Sequence, residues 1–97
     1  MITQYYTATS GTFTASNTQQ DALMIHEAGS LSLSMTFSFP SNPVDCQMVT
    51  MLSTGGITVL TLSAIVGTIV NAITGMTAGT PATYIYYSAT NKWYRYK

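Results

Sequence analysis

The groups able to carry acid–base or nucleophilic chemistry are few: one histidine, His26, one cysteine, Cys46, and three carboxylates, Asp21, Glu27 and Asp45. A cysteine nucleophile needs a base beside it, and His26 is the one imidazole available to Cys46. The two are far apart in the chain, and a single residue of each type is what chance supplies. They also fall short of a zinc site, which takes three or four protein ligands. No catalytic, metal or cofactor site is expected, and the chain reads as a protein that is not an enzyme. An unpartnered cysteine is expected to be a small buried apolar residue, and His26 beside Glu27 a polar strand position. Ser53-Thr54-Gly55-Gly56 lacks the lysine of a phosphate-cradling loop and predicts a hairpin turn.

Contact chemistry is concentrated at the other end. Residues 84–97, YIYYSATNKWYRYK, hold the only tryptophan and all three basic groups, Lys92, Arg95 and Lys97. Aromatic and β-branched runs on either side of Ser88-Ala89-Thr90-Asn91-Lys92 predict a β-hairpin. With Thr90 and Asn91 at the tip, Ser88 opposes Trp93, Tyr87 opposes Tyr94, Tyr86 opposes Arg95 and Ile85 opposes Tyr96. Opposed residues share a face. One face is then Ile85, Tyr87, Tyr94 and Tyr96, and the other Tyr84, Tyr86, Trp93, Arg95 and Lys97, with Arg95 over Tyr86 gaining roughly 0.5 to 1 kcal/mol. Such a surface suits subunit packing, sugar stacking or a single-stranded nucleic acid, but zero net charge leaves the last without an electrostatic footprint. The subunit-interface candidates are Tyr84, Tyr86, Tyr87, Trp93, Tyr94, Arg95 and Tyr96.

Composition points the same way. The 97 residues form one domain, and only 6% are charged, against about 25% in ordinary soluble domains. A monomer so composed is expected to associate, which makes the chain an assembly component. The uncharged stretch from Ile57 to Ala78 is long enough to cross a bilayer, yet its threonines, Asn71 and glycines favour strands. Met1-Ile2-Thr3-Gln4 lacks the basic start and apolar run of a secretory signal, so Sec-type export is not expected.

The elements that must position these residues are strands. Residues 1–28 predict an extended N-terminal arm or edge strand, polar around Tyr5, Tyr6 and Phe13, which are the candidates for docking on a partner. Thr18-x-x-Asp21 resembles a capping box, but Leu23, Met24 and Ile25 favour a strand. Leu31, Leu33, Met35, Phe37 and Phe39 alternate with serines and a threonine, the cleanest period of two in the chain, and predict one core face. Pro40-Ser41-Asn42-Pro43 ends that strand. Gln47 to Ser53 follows, then Ile57 to Ser63, whose apolar phase changes between Val59 and Leu60 and implies a bulge or burial on both faces. Ile69 to Ile73 predicts another strand, and Gly75 to Pro81 turns into the hairpin. About seven short strands with frequent turn signals predict an all-β fold, a small antiparallel sandwich or jelly roll over residues 29–97.

Three segments, FPSNPVDCQMV, STGGITVLTLS and TAGTPATYIYYSATNKWYRYK, resemble the β-rich module of tailed-bacteriophage virion proteins. That module recurs at the ends of tailspikes and tail fibres and as small capsid decoration proteins. The resemblance covers about residues 29–97, and Cys46 stands where the module's turn usually has glycine. It implies a homotrimer: a capsid decoration, or cement, protein that binds the major capsid protein on the outer surface of the virion after assembly in the host cytoplasm. The alternative it implies is a receptor-binding tip of a tail fibre or tailspike that contacts host glycan. Neither role calls for nucleic acid, a membrane or a cofactor.

Overall fold

A computed structural model describes residues 1–17 and 19–97; Thr18, and with it the capping-box reading, lies outside the described residues. Among them the chain forms β1 (Ile2–Tyr6), β2 (Thr12–Thr14), β3 (Ala22–His26), β4 (Ser32–Ser38), β5 (Met48–Ser53), β6 (Ile57–Ser63), β7 (Thr68–Val70), β8 (Ala82–Tyr87) and β9 (Lys92–Arg95). The fold is all-β, as the alternating patterns predict, with nine strands among the described residues rather than about seven.

The connectivity departs from the expected antiparallel sandwich or jelly roll. One sheet has the order β1-β3-β5-β8-β9-β7 and the other β2-β4-β6. β1, β3 and β5 are mutually parallel, as are β2, β4 and β6, so the chain climbs through three stacked coils, each giving one strand to either sheet. Only β5–β8 and β8–β9 are antiparallel. The result is mixed and solenoid-like. Parallel strands need a long return path, and here the opposite sheet's strand provides it.

The turn at Thr54-Gly55-Gly56 shows why the sequence misleads. It does not fold β6 back onto β5 as a hairpin but carries the chain across to the second sheet. Gly56 has φ of +80°, and a Cβ on Gly55 would sit 2.3 Å from the Ser30 carbonyl oxygen, so the corners of adjacent coils touch backbone to backbone. Beside this corner, a polar chain links all three coils. Gly56 N–H donates to Ser53 Oγ (3.1 Å), and the Ser53 hydroxyl lies 2.9 Å from His26 Nδ1. His26 Nε2 lies 2.7 Å from the Ala8 carbonyl, which can only accept, so Nε2–H donates to it and the ring is held between Ala8 and Ser53. His26 is thus a fully buried tie between coils.

The phase change expected at Val59–Leu60 is present: Ile57 and Leu60 are buried while Thr58 and Val59 face outward. β4 bends at the same level, because Ser34 pairs with Val59 and Met35 with Leu60. The regular serine alternation hides this second bend. It removes Leu31 and Leu33 from the predicted core face and leaves them 56% and 73% exposed, whereas Met35, Phe37 and Phe39 are buried as expected.

The core lies between the sheets and runs from Phe13 to Trp93. At one end Tyr6 stacks on Phe13 (5.2 Å) and Phe13 meets Phe37 edge-on (5.5 Å). At the other Trp93 meets Phe39 (4.9 Å) and Tyr86 (5.1 Å). Residues 1–28 share this core with residues 29–97, and β1 and β2 are its edge strands. Ile57 to Ala78 supplies β6, β7 and a bridge between Ile57 and Met76, and no helix among the described residues is long and apolar enough to cross a membrane.

Candidate interaction surface

In the closing hairpin Tyr84 pairs with Arg95, Ile85 with Tyr94, Tyr86 with Trp93 and Tyr87 with Lys92. This register differs by two residues from the one predicted, because the loop is the four-residue Ser88–Asn91 turn. Asn91 enters the left-handed region (φ +53°), its N–H donates to the Ser88 carbonyl (3.2 Å), and its Oδ1 accepts from the Tyr86 hydroxyl (2.6 Å). A slip of two leaves every side chain on its predicted face.

The two faces have different fates. Tyr84, Tyr86 and Trp93, all interface candidates, are buried in the chain's own core. The Trp93 indole N–H donates to the Val66 carbonyl (3.3 Å), and the Tyr84 hydroxyl donates to the Asn71 carbonyl (2.8 Å) and accepts from Ile73 N–H (3.1 Å). Burial pushes the Tyr84 phenol above its ordinary pKa. Arg95 lies opposite Tyr84 rather than over Tyr86, and its Nε–H donates to the Lys97 carbonyl; the ring with a cation above it is Tyr96, 5.5 Å from Lys97 Nζ. Tyr87, Tyr94, Arg95 and Tyr96 remain at the surface, with Tyr94 half-buried.

The outer face of the hairpin continues across the first sheet. Met48 pairs with Ile85, Ile85 with Tyr94 and Tyr94 with Val70, so four apolar side chains form one row. The next row is Thr3, Leu23, Thr50 and Thr83, in which the Thr50 and Thr83 hydroxyls are 2.9 Å apart. Tyr5, Ile25 and Leu52 make the third. None of these residues is charged. Most are half-buried by their own neighbours, and Tyr5 is 66% exposed. The first and third rows are apolar and the second is mostly threonine, and Lys92 lies on the same face opposite Tyr87.

Of the three docking candidates on the N-terminal segment, Phe13 is buried and Tyr6 half-buried against it, while Tyr5 alone points outward. Leu23, Ile25, Met48 and Leu52 belong to this face and were not among the interaction candidates. Their signal was the unbroken apolar run Leu23-Met24-Ile25 and its counterpart in β5, where neighbouring positions face opposite sides of one sheet.

Cys46 is exposed, not buried as expected. It adopts φ of +65° at the turn before β5, a backbone region that favours glycine, and its side chain is exposed there. Asp45 Oδ1 accepts from Ser88 N–H (2.9 Å), which holds the Asp45 carboxyl below its ordinary pKa. The Asp45 charge in turn pushes the Cys46 thiol up. His26 and Cys46 are not brought together: the ring bonds Ser53 and Ala8, and the thiol lies 3.6 Å from Asp45 Oδ2. Among the described residues no three His, Cys, Asp or Glu side chains gather as a metal site would require.

Compared with known proteins, the chain matches no family model, no curated protein and no solved structure.

Proposed function

We propose that this chain is a structural protein of a tailed-bacteriophage virion: a homotrimeric capsid decoration protein that binds the major capsid protein on the outer shell and stabilises it. The observation that supports this reading is the outer face of the six-stranded sheet, where the apolar rows Tyr5–Ile25–Leu52 and Met48–Ile85–Tyr94–Val70 flank a row made mostly of threonine. A protein with six charged residues and such a face gains by covering it with other subunits. The resemblance of residues 29–97 to phage virion modules supplies the setting. In a trimer the hairpin's outer residues Tyr87, Tyr94 and Tyr96 lie at the subunit contact, and Tyr5 is the member of the N-terminal trio free to reach the shell. Three weak sites on one trimer then bind a symmetric lattice far more tightly than one site does.

The test has two parts. Light scattering on the purified protein is expected to give the mass of three chains or a whole multiple of it, and a stable monomer at micromolar concentration would overturn the trimer. Co-sedimentation with undecorated capsids is expected to saturate near three chains per site. Binding to host envelope without capsid binding would replace this reading with that of a receptor-binding tip.

A further inference from the structure

The two sheets treat their edges differently. In the second sheet both edges are partly capped. At the first coil, the Gln4 side chain acts as a substitute peptide, with Nε2 donating to the Thr14 carbonyl (3.2 Å) and Oε1 accepting from Ser16 N–H (2.7 Å). At the third coil, the chain after β7 lies against β6: Ile57 and Met76 exchange backbone bonds at 2.9 Å and Leu60 N–H donates to Thr74 O (2.9 Å). In the first sheet one edge is β7, only three residues long, and short edges are self-limiting. The other edge is β1, with five residues and, among the described residues, no strand paired beyond it.

The ladder shows which groups of β1 are unpaired. Ile2 N–H donates to Asp21 O and Tyr6 O accepts from Glu27 N–H, both at 2.9 Å. In a parallel pair alternate residues direct both backbone groups to the same neighbour, so Ile2, Gln4 and Tyr6 bond β3 while Thr3 and Tyr5 direct N–H and C=O away from the sheet. Natural edges of this length are usually protected by charge, proline or a bulge. Residues 1–20 contain no charged residue and no proline, and β1 pairs with β3 in unbroken register.

We propose that β1 pairs antiparallel with β1 of a second copy of this chain, across a two-fold axis at Gln4. The occupant follows from the spacing. With Gln4 opposite Gln4, Thr3 of each copy faces Tyr5 of the other, and the four outward-directed groups of one strand meet the four of its mate. Each Thr3–Tyr5 pair exchanges two backbone hydrogen bonds and sets an aromatic ring beside a β-branched side chain, a favourable cross-strand pairing. A neutral strand also meets a neutral strand. The rows Thr3–Leu23–Thr50 and Tyr5–Ile25–Leu52 then run on into the second copy as one continuous sheet. The seam rests on the capsid reading only for its setting: each chain of a trimer offers one β1 edge, and where the three edges of one trimer meet the three of a second, the mass doubles.

Thr3→Pro tests this directly. It deletes an N–H that points off the edge, a place where strands accept proline, and leaves the bonds to β3 intact. Thr3→Lys is the second variant, placing a charge on the seam without altering the backbone. In sedimentation equilibrium over a concentration series the wild type is expected to reach twice the mass of either folded variant. Amide exchange at Thr3 and Tyr5 is expected to slow with rising concentration in the wild type alone. Equal masses for wild type and variants, or free exchange of those amides at the highest concentration, would overturn the seam. A variant mass other than three chains overturns the trimer instead, while the two-fold ratio still upholds the seam.

Discussion

The inner and outer faces of the six-stranded sheet are made of similar residues and do different work. Inside, Met24, Met51, Tyr84, Tyr86 and Trp93 meet the second sheet and are almost wholly buried. Outside, Leu23, Ile25, Leu52, Ile85 and Tyr94 have no second sheet above them among the described residues. The difference is one of coverage, not composition. A strand apolar on both sides expects two covers, and this fold provides one.

The sharpest way to break the comparison is to truncate one residue on each face. Trp93→Ala removes the largest buried side chain and is expected to cost about 3–5 kcal/mol in chemical denaturation, enough to unfold much of a domain this small. Ser53→Ala takes away the hydroxyl between Gly56 N–H and His26, leaving buried polar groups unpaired, and is expected to cost about 1–3 kcal/mol by the same measurement. Ile85→Ser on the outer face is expected to change the stability of the isolated chain by about 1 kcal/mol or less while reducing its mass in sedimentation. If Ile85→Ser proves as destabilising as Trp93→Ala, the two faces are not distinct in the way described.

The smallest effect concerns the hairpin tip. The Asp45 pKa is lowered in the folded chain by the Ser88 N–H, so its contribution is present above the unfolded value, about 3.9, and is lost as pH falls through the folded one. Amide exchange at Ser88 is therefore expected to rise only below about pH 4. Asp45→Asn removes the charge that raises the Cys46 thiol, and alkylation of Cys46 at pH 8 is expected to quicken. An unchanged rate would mean that Asp45 does not govern this thiol.

Particular residues show how far the sequence could be read. The face to which Tyr84, Tyr86 and Trp93 belong was legible from period two alone, and a two-residue error in register did not disturb it. The bend at Val59–Leu60 was legible from the break in its apolar phase, while the matching bend at Leu33–Ser34 was not, since a serine every second residue conceals which side is buried. Cys46 was misplaced because its type favours burial, whereas it sits exposed in a turn with a left-handed φ.

The sequence by itself determined that this protein is made of strands, that its last segment is a hairpin, and that only six of its residues are charged. These are local or compositional properties, set by side-chain alternation, turn residues and a count of ionisable groups. Only the tertiary structure decided that the strands stack in parallel coils, that the second sheet covers Trp93 rather than Tyr94, and that β1 is left as the open edge. Alternation looks the same in parallel and antiparallel strands, and a corner such as Gly55-Gly56 reveals its direction only where it meets the Ser30 backbone of the coil beside it.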